Sequence, residues 1–414
     1  MKYVWLSLLL VGGLLASGTQ DSETNVNSRY TVETVVVSGE GWSTSPAADH
    51  DRKISSGLRR EMAALVGQRL NPARLDELAK RLRRELRART VEHHVLRGKS
   101  PEYVQVVFQV ELPPTRFDAS VPKFLYQSEQ GWSGAVEGTA TLHNNGFTAG
   151  LVSDDDELVE RYTGVVARYE SEPLMNDRAR LRFEFGSYHE LWNPSTVAVS
   201  DASQLYRTRQ EFQPVLSVRV ARPLEVSFGT SFESLGQQVP GAPPLAADAF
   251  VAGARYHQEM EGSSEQAVEA DYDLRAGSHA LASDFAYSRH RWEFRYRFTH
   301  GKHELVDDSW GGVILGQAPL FERFVLGNST SLRGWNKFDL DPLGGNRVVH
   351  NTVEYHYGIF QVFCDSGAIW DSGQAAVARS SLGVGLRQGI FSLALAFPVR
   401  DGKIDPVFMV GMNY

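Results

Sequence analysis

The stretch GNSTSLRGWNKF sets one arginine, Arg333, between Leu332 and the pair Gly334-Trp335, in a loop flanked by runs that read as strand. A guanidinium taken out of water is costly unless a carboxylate meets it. One is offered downstream in QVFCDSGAIWD, where strand alternation puts Phe363, Asp365 and Gly367 on one face and Val362, Cys364, Ser366 and Ala368 on the other. That face carries an acid next to an aromatic ring, and Gly367 leaves room for a close approach. Glu354, flanked by the apolar-face residues Val353 and Tyr355, is a second possible acid. The chemistry within reach is a charge-assisted ion pair that fixes a loop.

Catalytic patterns are incomplete by comparison. HELWN at His189 and HELVD at His303 begin like the zinc-protease signature, but Asn193 and Asp307 stand where the second histidine must be. No G-x-S-x-G elbow and no G-x-x-x-x-G-K-[ST] loop occurs. His93 and His94 are strand neighbours that point to opposite faces, so they cannot chelate one ion together. The acidic run Asp154 to Glu157 is expected to be a solvated turn, because a calcium loop needs ligands at set spacing. The expectation is a non-enzyme with no catalytic residue, metal or cofactor.

The elements that must position Arg333 follow from the rest of the chain. Its 414 residues are 22% charged and 42% hydrophobic with a net charge of −8, which gives no reason to expect a nucleic-acid partner. Residues 1–18 read as a secretory signal: Lys2, an apolar run from Val4 to Leu15, then Ala16-Ser17-Gly18. The single cysteine, Cys364, rules out an intrachain disulfide. No later apolar run reaches the roughly 18 residues of a membrane helix, so membrane insertion would require a β-barrel.

Residues 29–113 form a separate small α+β domain. The β-branched run Tyr30 to Val37 is a strand, Ile54, Leu58, Met62 and Leu65 mark a helix, and Leu75, Leu78, Leu82 and Leu86 mark a second helix capped by Asn71 and Pro72. TVEHHVLRG and YVQVVFQVEL close it as two strands, giving the order β-α-α-β-β. The arginines of the second helix are expected on its solvated face. From residue 114 onward the period is two. In RWEFRYRFT, Trp292, Phe294, Tyr296 and Phe298 alternate with Glu293, Arg295, Arg297 and Thr299, and LRFEFGSY, LSVRVAR and LEVSFGTSF repeat the pattern. About 300 residues of such units, with aromatic outer faces, fit a transmembrane barrel better than a soluble sandwich.

With LFERFVLGNSTSLRGW, LDPLGGN, VEYHY, VFCDSGAIWD and LGVGLR in this order, and a last strand ending on Tyr414, the chain resembles the BamA-like outer-membrane assembly and transport superfamily, also called bacterial surface antigen proteins. The resemblance implies that residues 29–113 are one periplasmic POTRA domain. It also implies that 114–414 form an all-β transmembrane barrel of about sixteen antiparallel strands, with a loop around 327–345 folded inward. By the same resemblance, the [VL]-R-G-[FYW] motif (Leu332, Arg333, Gly334, Trp335) binds the F-x-D-x-G motif (Phe363, Asp365, Gly367), and terminal Tyr414 serves as the C-terminal aromatic assembly signal. Two departures stand out: Gly327-Asn328 where Gly-Gly is frequent, and Tyr414 where Phe is usual.

The function so implied is insertion or translocation of polypeptides at the outer membrane without nucleotide. The POTRA domain captures an unfolded client and the barrel passes or inserts it. Outer-membrane lipid surrounds the barrel, and periplasmic chaperones or accessory lipoproteins are further candidate partners. A passive outer-membrane pore or surface antigen with no client is the alternative.

Overall fold

The computed structural model describes residues 29–39, 54–86, 88–111, 115–142, 144–175, 178–260, 264–400 and 405–412. The expected signal at 1–18 and the terminal Tyr414 lie outside the described residues. The chain divides into two compact units, Met1–Leu112 and Pro113–Tyr414.

The first unit runs β1 (Thr31–Gly39), α1 (Ser56–Ala63), α2 (Pro72–Glu85), β2 (Thr90–Arg97) and β3 (Tyr103–Glu111). Its sheet has the order β1-β3-β2, with β1 parallel and β2 antiparallel to β3. Asn71 starts α2: its side chain accepts the Ala73 N–H at 3.1 Å, and Pro72 follows where no intrahelical donor is needed. Leu75, Leu78 and Leu82 bury one stripe of α2 against Leu58 of α1 and against Val106, Phe108 and Val110 of β3. Arg81, Arg83 and Arg84 stay exposed on the opposite face, where the leucine spacing leaves them.

From Thr115 onward sixteen antiparallel strands close into a barrel, with the two-residue strand Leu245–Ala246 added against Leu224–Gln237. Strands such as Tyr206–Ala221 (16 residues) and Ala286–His300 (15 residues) exceed the roughly 9–11 residues a tilted strand needs to cross hydrocarbon. The alternation in RWEFRYRFT is seen directly: Trp292 and Phe294 face out, 47% and 45% exposed, while Arg291, Glu293 and Arg295 line the lumen. Phe117, Leu151, Phe228, Val353 and Val384 continue the exposed apolar surface around the wall. Apolar area on this scale is an aggregation liability in water and is satisfied in lipid. No described helix is long and apolar enough to cross a membrane, and closed strands are the other spanning structure.

The interior is polar and partly filled by the connection 318–346, between strands His303–Gln317 and Arg347–Tyr357. Leu326, Leu332 and Trp335 of this connection bury themselves with Phe324 against the wall residues Tyr287, Ile314 and Val348. Leu320 joins a second cluster with Trp192, Tyr206 and Leu235.

Candidate functional site: an arginine-locked loop inside the barrel

Strand Arg347–Tyr357 turns Val348, His350, Thr352 and His356 inward, with Val349, Val353 and Tyr355 outward. Strand Phe360–Trp370 pairs with it so that Thr352 faces Asp365, and strand Arg379–Gln388 then places Ser381 against Asp365 from the other side. This register assembles a polar row on the lumen wall around one carboxylate. Asp365 has no exposed surface. It accepts hydrogen bonds from Thr352 Oγ1 at 2.9 Å and Ser381 Oγ at 3.4 Å.

Arg333 completes the row. Its Nε and Nη2 donate to Asp365 Oδ2 and Oδ1 at 2.8 and 2.6 Å, a two-pronged contact, and its backbone N–H adds a third bond to Oδ2 at 3.1 Å. Nη1 donates to Glu354 Oε1 at 2.7 Å, so both candidate acids hold the same guanidinium. His356 Nε2 lies 3.2 Å from the other Glu354 oxygen. The guanidinium carbon sits 3.5 Å above the Phe363 ring, a cation–π contact that strengthens where water is excluded. Burial works against the charge of Arg333, but the hydrogen bonds and charge of Asp365, followed by those of Glu354, hold its pKa above the ordinary arginine value.

The neighbouring motif residues shape the lock. Leu332 is fully buried in the loop's apolar cluster. Gly334 has φ +88° and lies against Ala396 and Pro398, where a β-carbon would meet Pro398 Cδ at 3.2 Å. Trp335 donates its indole N–H to Ser380 O at 2.9 Å, with the Arg400 guanidinium 4.5 Å from its ring. Phe363 lies flat because its partner is Gly383, where a β-carbon would stand 1.9 Å from the ring. A β-carbon at Gly367 would meet Val349 O at 2.9 Å and Leu326 Cδ2 at 3.0 Å, so the close approach that the glycine allows is that of the loop's apolar stem.

Other anchors were not identified from sequence. Glu322, in the loop's LFERF segment, forms an ion pair with Arg275, whose Nε lies 2.7 Å from its Oε1, and accepts from the Tyr287 hydroxyl at 2.9 Å. Arg323 grips Asp371 at 2.6 and 2.7 Å. Lys337, 2% exposed, donates to the backbone carbonyls of Asp155, Glu157 and Val159, the last two at 2.8 Å. The acidic run is therefore not a solvated turn: Asp154 and Asp155 are buried, and Lys123 Nζ donates to Asp154 and Asp156 at 2.7 and 2.6 Å. These partners lie 31 to 182 residues apart in the chain, beyond the reach of any local pattern. The one signal available was charge set within apolar sequence, as in Phe321-Glu322-Arg323-Phe324.

The fold and site define a class: a sixteen-strand membrane barrel whose interior holds a long loop by a buried arginine–carboxylate lock. Residues 250–410, which include both halves of the lock, match the family model described as the Omp85 superfamily domain. Over 128 residues the chain is 30% identical to the outer membrane protein assembly factor BamA of Nitratidesulfovibrio vulgaris, a match covering 24% of this chain and 16% of that protein's length. In fold it is similar to BamA from Haemophilus ducreyi lacking POTRA domains 1–3 (TM-score 0.55, 16% identity, 93% of this chain and 84% of that one). It is likewise similar to CdiB from Acinetobacter baumannii (TM-score 0.56, 15% identity, 93% of this chain and 74% of that one). The superfamily resemblance drawn from the motifs thus agrees with independent likenesses of sequence and fold.

Proposed function

We propose that this protein resides in the outer membrane and inserts or translocates polypeptides there without nucleotide, with the first unit acting as a periplasmic POTRA domain that receives the client. The observation that carries the reading is the lock itself, with Arg333 held by Asp365 and Glu354 inside a barrel whose C-terminal part matches the Omp85 superfamily. A lumen occupied by a fixed loop suits regulated handling of a chain better than steady diffusion.

Two features support where a client would engage. In the first unit β2 is a sheet edge, and beside it a groove of about 650 Å³ is lined by Tyr30, Leu70, Leu75, Val95, Leu96 and Tyr103. An unpaired strand edge with apolar pockets takes an extended peptide by strand addition. In the barrel the closing seam joins strand Thr115–Gln127 to strand Val407–Met412 through four residue pairs among the described residues, Met409 with Gln127 to Met412 with Phe124. The ladder between Arg347–Tyr357 and Phe360–Trp370 has eleven. These four pairs, with a further bond from the Ser128 N–H to Phe408 O at 3.0 Å, make a short ladder among the described residues, and it is here that the wall would open to a client strand. With the first unit in the periplasm, the alternation of strands brings the loop 318–346 into the lumen from the outer face.

The test is client transfer and ion conductance by the full chain in liposomes, wild type against Asp365→Asn. Loss of transfer with unchanged barrel insertion supports the reading. Steady conductance with no client transfer by either protein refutes it in favour of a passive pore.

A further inference from the structure

The acidic turn between strands Asn145–Asp154 and Arg161–Glu170 contacts two parts of the barrel that the proposed function sets in motion. On one side is Lys123, on the first barrel strand. Its ammonium, with a side chain 11% exposed, is shared between Asp154 Oδ1 and Asp156 Oδ2. Lys123 is the residue next to Phe124, where the described pairing of the closing seam stops, and it follows a register break between Ser120 and Lys123. On the other side is the inward loop. Asn328 donates from its amide to Asp156 O at 3.3 Å, and Lys337 donates to the carbonyls of Glu157 and Val159 at 2.8 Å. Arg333 lies between these two loop contacts. The Asn328 side chain also accepts from the Ser331 N–H at 2.9 Å, which fixes the turn that enters SLRGW.

We infer that the acidic turn 154–159 mechanically couples the closing seam to the inward loop: Lys123 senses the position of the first strand, and Asn328 and Lys337 pass it to the segment that carries Arg333. The physical reason is the burial of the charges. Lys123 cannot leave without stripping the buried Asp154 and the partly exposed Asp156 of the cation they share, so movement of the first strand must either carry the turn along or break the pairs. A turn carried along pulls on the three carbonyls that hold Lys337. The turn is an element that both sites bias, which is what coupling requires, and the effect is reciprocal: release of the loop loosens the seam. This inference rests on the reading of the seam as the opening part of the barrel.

The experiment uses the full chain in liposomes with Cys364→Ser. Cysteines replacing the paired residues Tyr126 and Val410 lock the seam reversibly. Ser329→Cys, a near-isosteric change at a residue 2% exposed, reports release of the loop through its rate of reaction with a water-soluble thiol reagent. Locking is done first and labelling after. With Lys123 intact, locking the seam should slow labelling about tenfold. With Lys123→Met the lock should change labelling less than about twofold, and Asp154→Asn combined with Asp156→Asn, which removes both carboxylate partners of Lys123, should do the same. Lys123→Arg should restore the tenfold response. An equal slowing by the lock in wild type, Lys123→Met and the Asp154→Asn/Asp156→Asn double variant overturns the coupling. Client transfer is measured on the same preparations: transfer that survives the lock overturns the seam reading, whatever the labelling does. Heat-dependent gel mobility establishes that each variant is a folded barrel.

Discussion

Replacing Asp365 by Asn keeps the side-chain shape and removes the charge on which the lock converges. Asp365 is wholly buried and accepts three bonds from Arg333, one from Thr352 and one from Ser381. Asparagine has one acceptor oxygen, so one arm of the guanidinium fork would face an amide N–H. Breaking a buried ion pair from one side costs about 3–5 kcal/mol. Glu354 at 2.7 Å and the Phe363 ring remain on Arg333, which favours the lower end, about 3 kcal/mol, or about a hundredfold in the equilibrium for loop release. Trypsin reads this directly in detergent-solubilised barrel, because cleavage after Arg333 and Lys337 requires a released loop and its rate follows the open population when reclosing is fast. The expected result is about hundredfold faster cleavage in a barrel that keeps its heat-dependent gel mobility. Cleavage within about twofold of wild type would refute the assignment of Asp365 as the principal anchor.

Further variants separate the parts of the lock. Glu354→Gln removes the single-bonded acid and should speed cleavage about tenfold, less than Asp365→Asn does. Exchanging the charges with Arg333→Asp and Asp365→Arg should not restore protection by itself, since the new aspartate would face Glu354; adding Glu354→Gln should recover part of it in the same trypsin assay. Leu332→Ala removes a fully buried side chain from the loop cluster and should weaken loop docking by about 2–5 kcal/mol, read as faster cleavage. Gly383→Ala places a methyl group where Phe363 lies and should lower the temperature at which the folded gel band disappears; Phe363→Leu in the same chain should recover part of the loss.

The barrel was legible because its strands alternate over long stretches: in RWEFRYRFT the aromatic and charged faces separate without exception, and the lipid and lumen faces follow. Arg333 and Asp365 were legible for a different reason. Each is a charge placed where strand or loop context excludes water, and the resemblance supplied their pairing. Both acids contact Arg333, because the guanidinium has a third edge that Asp365 leaves open for Glu354. What sequence did not disclose was long-range. An acidic run such as Asp154 to Glu157 looks the same whether it meets water or Lys123 and Lys337. Which one it meets is decided by strands far apart in the chain. Gly367 lies on the buried face of its strand, but the group beside it, Leu326, depends on the path of the loop.

The most direct test of the central claim is insertion of an unfolded outer-membrane barrel client into liposomes that contain this protein alone, with the Tyr126/Val410 disulfide first formed and then reduced. The account predicts that the client stays protease-sensitive while the seam is locked and becomes protected after reduction. Equal protection in both states would remove the seam from the mechanism, and conductance without client protection in either state would contradict the polypeptide-handling function.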